Sequence, residues 1–372
     1  MTQAPEHKII DMASAFAALH VSSRIDLQMG NEFPRDIWQK MGADGLFTIG
    51  IAEIYGGEGG GYLDILKAGE AFVKSGYNLG LALSWLYQQI IAHYILGTFG
   101  TREQKRQYLS TAAAGEITLS FAVSEPGHGA HPKILTTQAR KTETGYVLNG
   151  EKTYLTNGPI ADIFIVIAVT DDQTPQKRFT AFMVPRATEG ITVTQPLPMN
   201  FLKPSLHGGI KLENCLIGQE SVLGKEGNAW RDIVVPLGEI EDVVMMGPVL
   251  GGMAAQLTLL SDAIRENLTQ PEPSLQEELG ALNALWQTLG IIAYEAAARL
   301  DRGKSSPIPL VITFARLAAE FLANITQILS DWKITTPAEY TYLQRDIESL
   351  VNLKKRLLLI RQKKIGAALL KA

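Results

Sequence analysis

The sequence predicts an α+β protein with three domains: an N-terminal α-helical domain, a middle β-barrel or sandwich, and a C-terminal four-helix bundle. Changes of pattern along its 372 residues predict this order. Apolar residues recur at helical spacing in the first third, short β-rich runs follow, and long apolar helices then return. We therefore expect domains at residues 1–117, 118–228 and 229–372.

The N-terminal domain is predicted from four apolar segments with helical periodicity, at residues 9–18, 37–41, 65–73 and 79–96. The glycine-rich segment 54–62 lies between two of them. It lacks the Lys-Ser/Thr pair of a phosphate-binding P-loop, so we interpret it as a connection between helices. This domain offers no candidate residue for chemistry.

The middle domain is predicted from six short runs bounded by turn residues: 117–123, 146–149, 163–169, 179–184, 191–194 and 209–212. Segment 136–148 alternates apolar and polar residues around Thr144-Gly145, the pattern of a hairpin. It separates two unusual stretches, Phe121-Ala-Val-Ser-Glu-Pro-Gly-His-Gly-Ala130 and Asn149-Gly-Glu-Lys-Thr-Tyr-Leu-Thr-Asn-Gly158. Their hydroxyls, backbone N–H groups and aromatic ring predict a β platform suited to a flat, polar-edged ring such as a flavin.

The C-terminal bundle is predicted from long helices near residues 240–266, 277–302, 310–332 and 339–370. Antiparallel helices of this length form bundles.

Composition and charge narrow the classes of function. The net charge is −4 without a long basic run, which argues against nucleic acid or an anionic membrane as the main partner. The single Cys215 fits a reducing compartment. No signal-peptide pattern opens the chain, and its apolar runs look too short to span a membrane, so we expect a cytoplasmic protein. Neither His128 nor His131 has further ligands at a recognisable spacing, so we expect no metal.

The two stretches, their spacing and the following Ala161-Asp-Ile-Phe-Ile-Val-Ile-Ala168 resemble the middle domain of the acyl-CoA dehydrogenase family. The resemblance implies the three-domain fold and a flavin-dependent oxidoreductase that holds FAD. It also implies α,β-dehydrogenation of an acyl thioester, either an acyl-CoA or an acyl group on a carrier protein. An electron-transfer flavoprotein as acceptor, and a homodimer or homotetramer formed through the C-terminal bundle, follow from the same resemblance.

The resemblance assigns the flavin contacts to both stretches. Ser124 and Thr156 would supply hydroxyl or backbone hydrogen bonds to the isoalloxazine edge. Tyr154 would lie against the ring, where the family usually has Trp. Taken singly, Ser124-Glu-Pro-Gly and Thr156-Asn-Gly also suit plain turns, but their joint spacing favours the site. The full set of expected cofactor contacts is Phe121, Val123, Ser124, Gly129, Tyr154, Leu155 and Thr156.

Dehydrogenation of a thioester also needs a carboxylate that takes the α-proton. Most family members carry it in a Tyr-Glu-Gly segment near the C-terminus, where this chain has Asn352-Leu-Lys-Lys. A minority, including isovaleryl- and long-chain-type enzymes, place the Glu early on the long helix, and that position matches Glu241. The alternative is that Glu239, Glu241 and Asp242 are acids of a helix first turn that complement its dipole.

The resemblance places the substrate contacts at Ala130, Glu239 and Asp242. Ala130 stands where the family has a Ser, and Asp242 where it has an Arg that contacts pantetheine. An acid at 242 would repel phosphate. Two motifs that reach FAD across a dimer are also missing, after Arg265 and within residues 328–340. Three readings stay open: a thioester dehydrogenase, a protein of this fold with other thioester chemistry in a biosynthetic pathway, or a degenerate subunit that pairs with an active homologue.

Overall fold

The computed structural model describes residues 5–173, 176–267, 270–303, 306–353 and 355–370. The order of its elements confirms the predicted fold class: helices, then a mixed β-sheet, then helices again. Contacts between residues divide the chain into two units. The first holds Met1–Met29, Gly61–Ala82 and Asp242–Ala372, and the second holds Gly30–Gly60 and Leu83–Glu241. The predicted domain ranges 1–117, 118–228 and 229–372 stay a prediction.

The described helices are α1 (Pro5–His20), α2 (Asp26–Met29), α3 (Arg35–Ala43), α4 (Tyr62–Gly76), α5 (Leu79–Ile90), α6 (Gly97–Phe99), α7 (Arg102–Ala113), α8 (Val235–Val244), α9 (Met246–Asn267), α10 (Pro273–Asp301), α11 (Ile308–Asp331), α12 (Ala338–Leu353) and α13 (Lys355–Leu369). The strands are β1 (Leu119–Ala122), β2 (Gln138–Lys141), β3 (Gly145–Thr156), β4 (Ile163–Asp171), β5 (Arg178–Pro185), β6 (Ile191–Val193), β7 (His207–Gly218) and β8 (Val222–Leu223). Each of the six runs predicted as strands overlaps one of these strands.

The first unit is helical, and the predicted four-helix bundle is confirmed in it. Helices α9, α10, α11 and α12 each pack on the next, and α12 returns to contact α9. Helix α9 also packs closely on α4, because two of its glycines face the α4 backbone. A Cβ at Gly247 would lie 2.0 Å from the Leu66 backbone oxygen, and one at Gly251 would lie 2.1 Å from that of Glu70. Any larger residue at either position would separate the two helices.

The second unit contains the sheet, whose strand order is β6-β7-β3-β2-β4-β5-β8, with β1 pairing in parallel to β4. The predicted hairpin is confirmed: β2 and β3 are antiparallel, with Gln138 opposite Asn149. Inward-facing residues such as Tyr146, Phe164 and Phe182 form the core. Strand β1 leads into the first platform stretch, and helix α5 fixes its start. Gln88 donates to the Ile117 oxygen at 2.9 Å and accepts from the Leu119 N–H at 2.8 Å.

The helix that carries Glu241 begins ten residues earlier than predicted and runs from Trp230 to Asn267. It opens with a π-helical turn, Trp230–Val234, and continues through Pro236. Proline has no N–H to donate to the oxygen of residue 232, one turn earlier. The Tyr94 hydroxyl donates to that Asp232 oxygen instead, at 2.5 Å. This bond supplies the donor that Pro236 lacks.

In the part of the chain that the structure describes, two helices are long and apolar enough to span a membrane, so the expectation that no apolar run reaches that length is wrong. They are Trp230–Asn267, with a mean hydropathy of 1.7, and Ile308–Asp331, with 1.6. Core helices of soluble proteins can have the same length and hydropathy. The most apolar 18-residue segment of the first helix is 78% buried, which fits a core helix. The corresponding segment of the second helix is 33% buried.

Candidate functional site

A buried ion pair joins the two predicted platform stretches. Lys152, in the second stretch, is 0% exposed and lies 3.0 Å from the carboxylate of Glu125 in the first, whose side chain is 3% exposed. The Lys152 ammonium also donates to the Val123 backbone oxygen at 3.0 Å. The Thr153 N–H donates to the Ser124 oxygen at 2.9 Å. The two stretches therefore form one structure, as the platform prediction requires.

The Glu125 carboxylate is satisfied by three further donors. It accepts from the Thr136 N–H at 2.7 Å, the Thr136 hydroxyl at 2.8 Å and the Thr137 N–H at 2.8 Å. Burial acts to raise the pKa of Glu125, but the Lys152 charge and these hydrogen bonds lower it to about 2. Burial also lowers the pKa of Lys152 to about 8, against the opposing effect of Glu125. Buried charges persist only when paired and hydrogen-bonded in this way.

The ion pair was not predicted from the sequence, although one signal was present. Side chains of a strand alternate between its two faces. Lys152 is in phase with Tyr146 and Leu148, which both lie in the core. A lysine in that phase indicates an internal partner.

The Tyr154 side chain projects from β3 at a point where the strand is irregular. The β3–β7 register shifts between Lys152 and Leu155, and Tyr154 has φ 58°. This left-handed conformation is uncommon for residues other than glycine. It leaves the Tyr154 side chain 65% exposed, whereas Leu155 is 1% exposed and belongs to the core. The Tyr154 ring is open to a ligand, while Leu155 could reach a cofactor only through its backbone.

Thr156 is held on two sides. Its backbone oxygen accepts from the Ser120 hydroxyl at 2.8 Å, and its own hydroxyl lies 3.1 Å from Nε2 of His207. The next residue, Asn157, has φ 63° and donates its side-chain amide to the Ser84 oxygen at 2.9 Å. His207 was not predicted from the sequence, because only the β3–β7 register brings it opposite Thr156.

The other predicted cofactor contacts surround a tight turn. The Glu125 and Gly129 backbones exchange hydrogen bonds at 3.0 Å in both directions. Gly129 has φ 60°, a conformation that favours glycine. Phe121, Val123, Ser124 and Gly129 are half-buried, and the predicted substrate contact Ala130 is exposed. The turn thus presents partly open groups beside the platform.

Glu239 and Glu241 are half-buried on α8, and the interpretation of these acids as a helix first turn is wrong. The helix starts at Trp230, so they lie well inside it. The following residue, Asp242, is a buried and paired acid. Its carboxylate, with 3% of the side chain exposed, accepts a hydrogen bond from Arg361 on α13, of which 16% is exposed. Its negative charge is therefore compensated within the chain.

The platform fits a flavin ring by the chemistry of its polar atoms. Two buried polar atoms near Thr156, Asn157 Oδ1 and His207 Nδ1, make no hydrogen bond within the described part of the chain. Buried polar atoms normally have partners, so such atoms call for a ligand or water. An isoalloxazine ring carries both N–H donors and acceptors along its edge. Within the described ranges, no group of three or more His, Cys, Asp or Glu side chains could hold a metal ion.

Comparisons with known proteins agree along most of the chain. The sequence model of the acyl-CoA dehydrogenase N-terminal domain matches residues 4–116, and that of the middle domain matches residues 120–215. Isovaleryl-CoA dehydrogenase from Arabidopsis thaliana is 30% identical over 80% of this chain and 74% of its own. The L-prolyl-[peptidyl-carrier protein] dehydrogenase of Pseudomonas fluorescens is 28% identical over 78% of each chain.

Solved structures show the same fold. Butyryl-CoA dehydrogenase from Megasphaera elsdenii superposes with a TM-score of 0.88 at 22% identity, covering 100% of this chain and 99% of that one. PigA, solved with FAD and proline, gives a TM-score of 0.83 at 21% identity over 98% of both chains.

Proposed function

The chain belongs to the acyl-CoA dehydrogenase family, and we propose that it is a flavin-dependent oxidoreductase acting on the Cα–Cβ bond of an acyl thioester. The observation that carries this proposal is the platform. Lys152 ties the two stretches together, and Tyr154 stands exposed beside them. FAD is the cofactor that we propose for this site.

Each side chain of the proposed site has its own task. Ser124 and Thr156 hold the polar edge of the ring, and Tyr154 covers one of its faces. FAD, when bound, supplies the acceptor for the hydride that leaves Cβ. Glu241 takes the proton that leaves Cα, so the substrate loses one proton and one hydride and becomes an α,β-unsaturated thioester.

The proposed substrate is an acyl-CoA or an acyl group on a carrier protein. Position 242, directly after the proposed base, carries an acid and therefore no cation for the phosphates of CoA. The Asp242 carboxylate accepts a hydrogen bond from Arg361. This arrangement favours a thioester whose carrier is recognised elsewhere, and one relative is named for a carrier-protein substrate. Ala130, Glu239 and Asp242 stay proposed substrate contacts.

Visible absorption tests the function directly. We expect the purified protein to be yellow, or to become so on addition of FAD. Anaerobic addition of an acyl thioester should bleach the flavin bands, whereas the corresponding free acid should not. Running matched acyl-CoA and acyl-carrier-protein thioesters side by side identifies the carrier. A colourless protein that takes up no added FAD would contradict the proposal.

Self-association through the C-terminal helices is a second part of the proposal. Large apolar side chains are exposed along α12 and α13: Leu353, Leu357, Leu359, Ile360, Ile365 and Leu369. Exposed apolar side chains concentrated on two consecutive helices favour an interface with another chain. A homodimer or homotetramer would bury these side chains, and a second copy of the chain is the occupant that we propose.

Size-exclusion chromatography with light scattering tests the assembly. The wild-type chain should elute as a dimer or tetramer. The double variant Leu353→Glu, Leu359→Glu should elute as a monomer with its circular dichroism unchanged. Ile54→Glu is the matched control, since Ile54 is equally apolar and is 83% exposed far along the sequence from these helices. A monomeric wild-type chain would refute the assembly.

We also propose cytoplasmic localisation, supported by the single cysteine, Cys215, which is free and buried. An electron-transfer flavoprotein is the proposed electron acceptor, on the strength of the family resemblance.

A further inference from the structure

The contact between Thr156 and His207 is fixed by the sheet. The two residues lie directly opposite each other in the antiparallel ladder of β3 and β7. Directly opposed side chains in such a ladder are held close together. Oγ1 of Thr156 is 3.1 Å from Nε2 of His207, and the Ser120 hydroxyl fixes the Thr156 backbone from β1. This hydrogen bond therefore belongs to the fold and does not depend on a ligand.

The His207 ring is neutral at pH 7. Burial lowers the pKa of His207 to about 4, against the Ser205 backbone, which acts to raise it. A neutral imidazole has one N–H donor and one acceptor nitrogen. The direction of the bond to Thr156 thus depends on which nitrogen carries the proton.

We infer that the proton lies on Nδ1. A backbone group that favours a protonated imidazole acts as a carbonyl oxygen does, and Nε2 already faces Thr156. Nδ1 is buried and meets no partner at full hydrogen-bonding geometry in the described part of the chain. Since Nε2 faces Thr156, Nδ1 is the ring nitrogen at which the Ser205 backbone favours an N–H. Nε2 is then the acceptor of the Thr156 O–H.

A hydroxyl has one hydrogen and two lone pairs. With its hydrogen bonded to His207, the Thr156 hydroxyl offers only lone pairs to a ligand. Reduction of a flavin converts an acceptor nitrogen at the ring edge into an N–H donor. A neighbouring lone pair therefore binds the reduced ring better than the oxidised ring. We propose that His207 is a positioning residue of the flavin site, which holds the Thr156 hydroxyl as an acceptor and so favours the reduced ring. This inference rests on the flavin site proposed above.

His207→Leu tests the inference by removing the acceptor. We expect the affinity for reduced flavin, relative to oxidised flavin, to fall about tenfold, which lowers the midpoint potential of a two-electron couple by about 30 mV. The measurement is anaerobic reduction against a reference dye, with the dissociation constant of oxidised FAD obtained by fluorescence. His207→Asn should restore most of the potential, since its amide oxygen can accept the same O–H. In flavin-free wild-type protein, nitrogen NMR should show the proton on Nδ1.

The controls separate positioning from a merely structural role. Thr156→Val should reproduce the shift, and adding His207→Leu to it should change nothing more. His93→Leu is the matched control, because His93 is half-buried in the same unit but bonds the Gly50 oxygen, and it should leave the potential unchanged. Normal flavin binding by His207→Leu with an unshifted potential would overturn this inference alone. A wild-type chain that binds no flavin would overturn the proposed function as well.

Discussion

Lys152→Met will lower the free energy of unfolding by about 3–5 kcal/mol, because it leaves the Glu125 carboxylate buried without its charge partner. The Lys152 ammonium also holds the Val123 oxygen, so the first platform stretch loses a bond to the second. We therefore expect the variant to retain less FAD than the wild-type chain. Urea denaturation followed by circular dichroism, together with the flavin content of the purified protein, measures both effects.

Two controls make this prediction specific. Adding Glu125→Gln should recover part of the lost stability, because it removes the unpaired buried charge. The recovery is incomplete, since the Thr136 and Thr137 N–H groups bond different carboxylate oxygens and the glutamine amide has only one. Lys141→Met breaks a Lys–Glu pair of the same unit, with Glu226 at 2.8 Å, but these side chains are 60% and 40% exposed. An exposed pair contributes at most about 1 kcal/mol. Equal losses for Lys141→Met and Lys152→Met would show that burial of the pair does not matter.

Glu241→Gln will reduce the rate of flavin reduction by the thioester about 10²- to 10⁴-fold if Glu241 is the base, because that is the usual contribution of a positioned proton acceptor. The glutamine keeps the size of the side chain and cannot take a proton. Flavin content and the visible spectrum should stay as in the wild-type chain. The measurement is the rate of anaerobic flavin bleaching by the thioester found active, followed by stopped-flow absorption.

Glu103→Gln serves as the control, because Glu103 is an exposed helical glutamate of the same unit. Its bleaching rate should equal that of the wild-type chain. An unchanged rate in Glu241→Gln would remove Glu241 from the mechanism, while leaving the flavin platform in place. The missing Tyr-Glu-Gly segment would then leave the base unassigned.

Local patterns predicted the secondary structure well where the chain follows simple rules. Alternation and turn residues predicted the β2–β3 hairpin, and helical periodicity predicted the helices of the bundle. The start of the long helix was missed because Pro236 and Gly238 are expected to interrupt a helix. Where the helix continues, Tyr94, more than a hundred residues earlier, supplies the donor that Pro236 lacks. No local pattern contains that information.

Only part of the candidate site could likewise be predicted from the sequence. Its two stretches were recognisable because their residues are close together in the sequence. The groups that support them come from other segments: His207 reaches Thr156 through the β3–β7 register, and Arg361 reaches Asp242 from the last helix. Glu125 and Lys152 both lie in the two recognised stretches, but their pairing depends on the tertiary arrangement of the β2–β3 hairpin. Supporting contacts of this kind require the tertiary structure.

The hydrogen bond from Tyr94 to the Asp232 oxygen also has a consequence for how this sequence can vary. Phe at position 94 would leave a backbone oxygen without a donor beside Pro236, whereas a residue other than proline at 236 would provide its own N–H. The tyrosine is therefore needed only in a background that contains the proline. We therefore expect positions 94 and 236 to be epistatic, so that the effect of a substitution at one depends on the residue at the other.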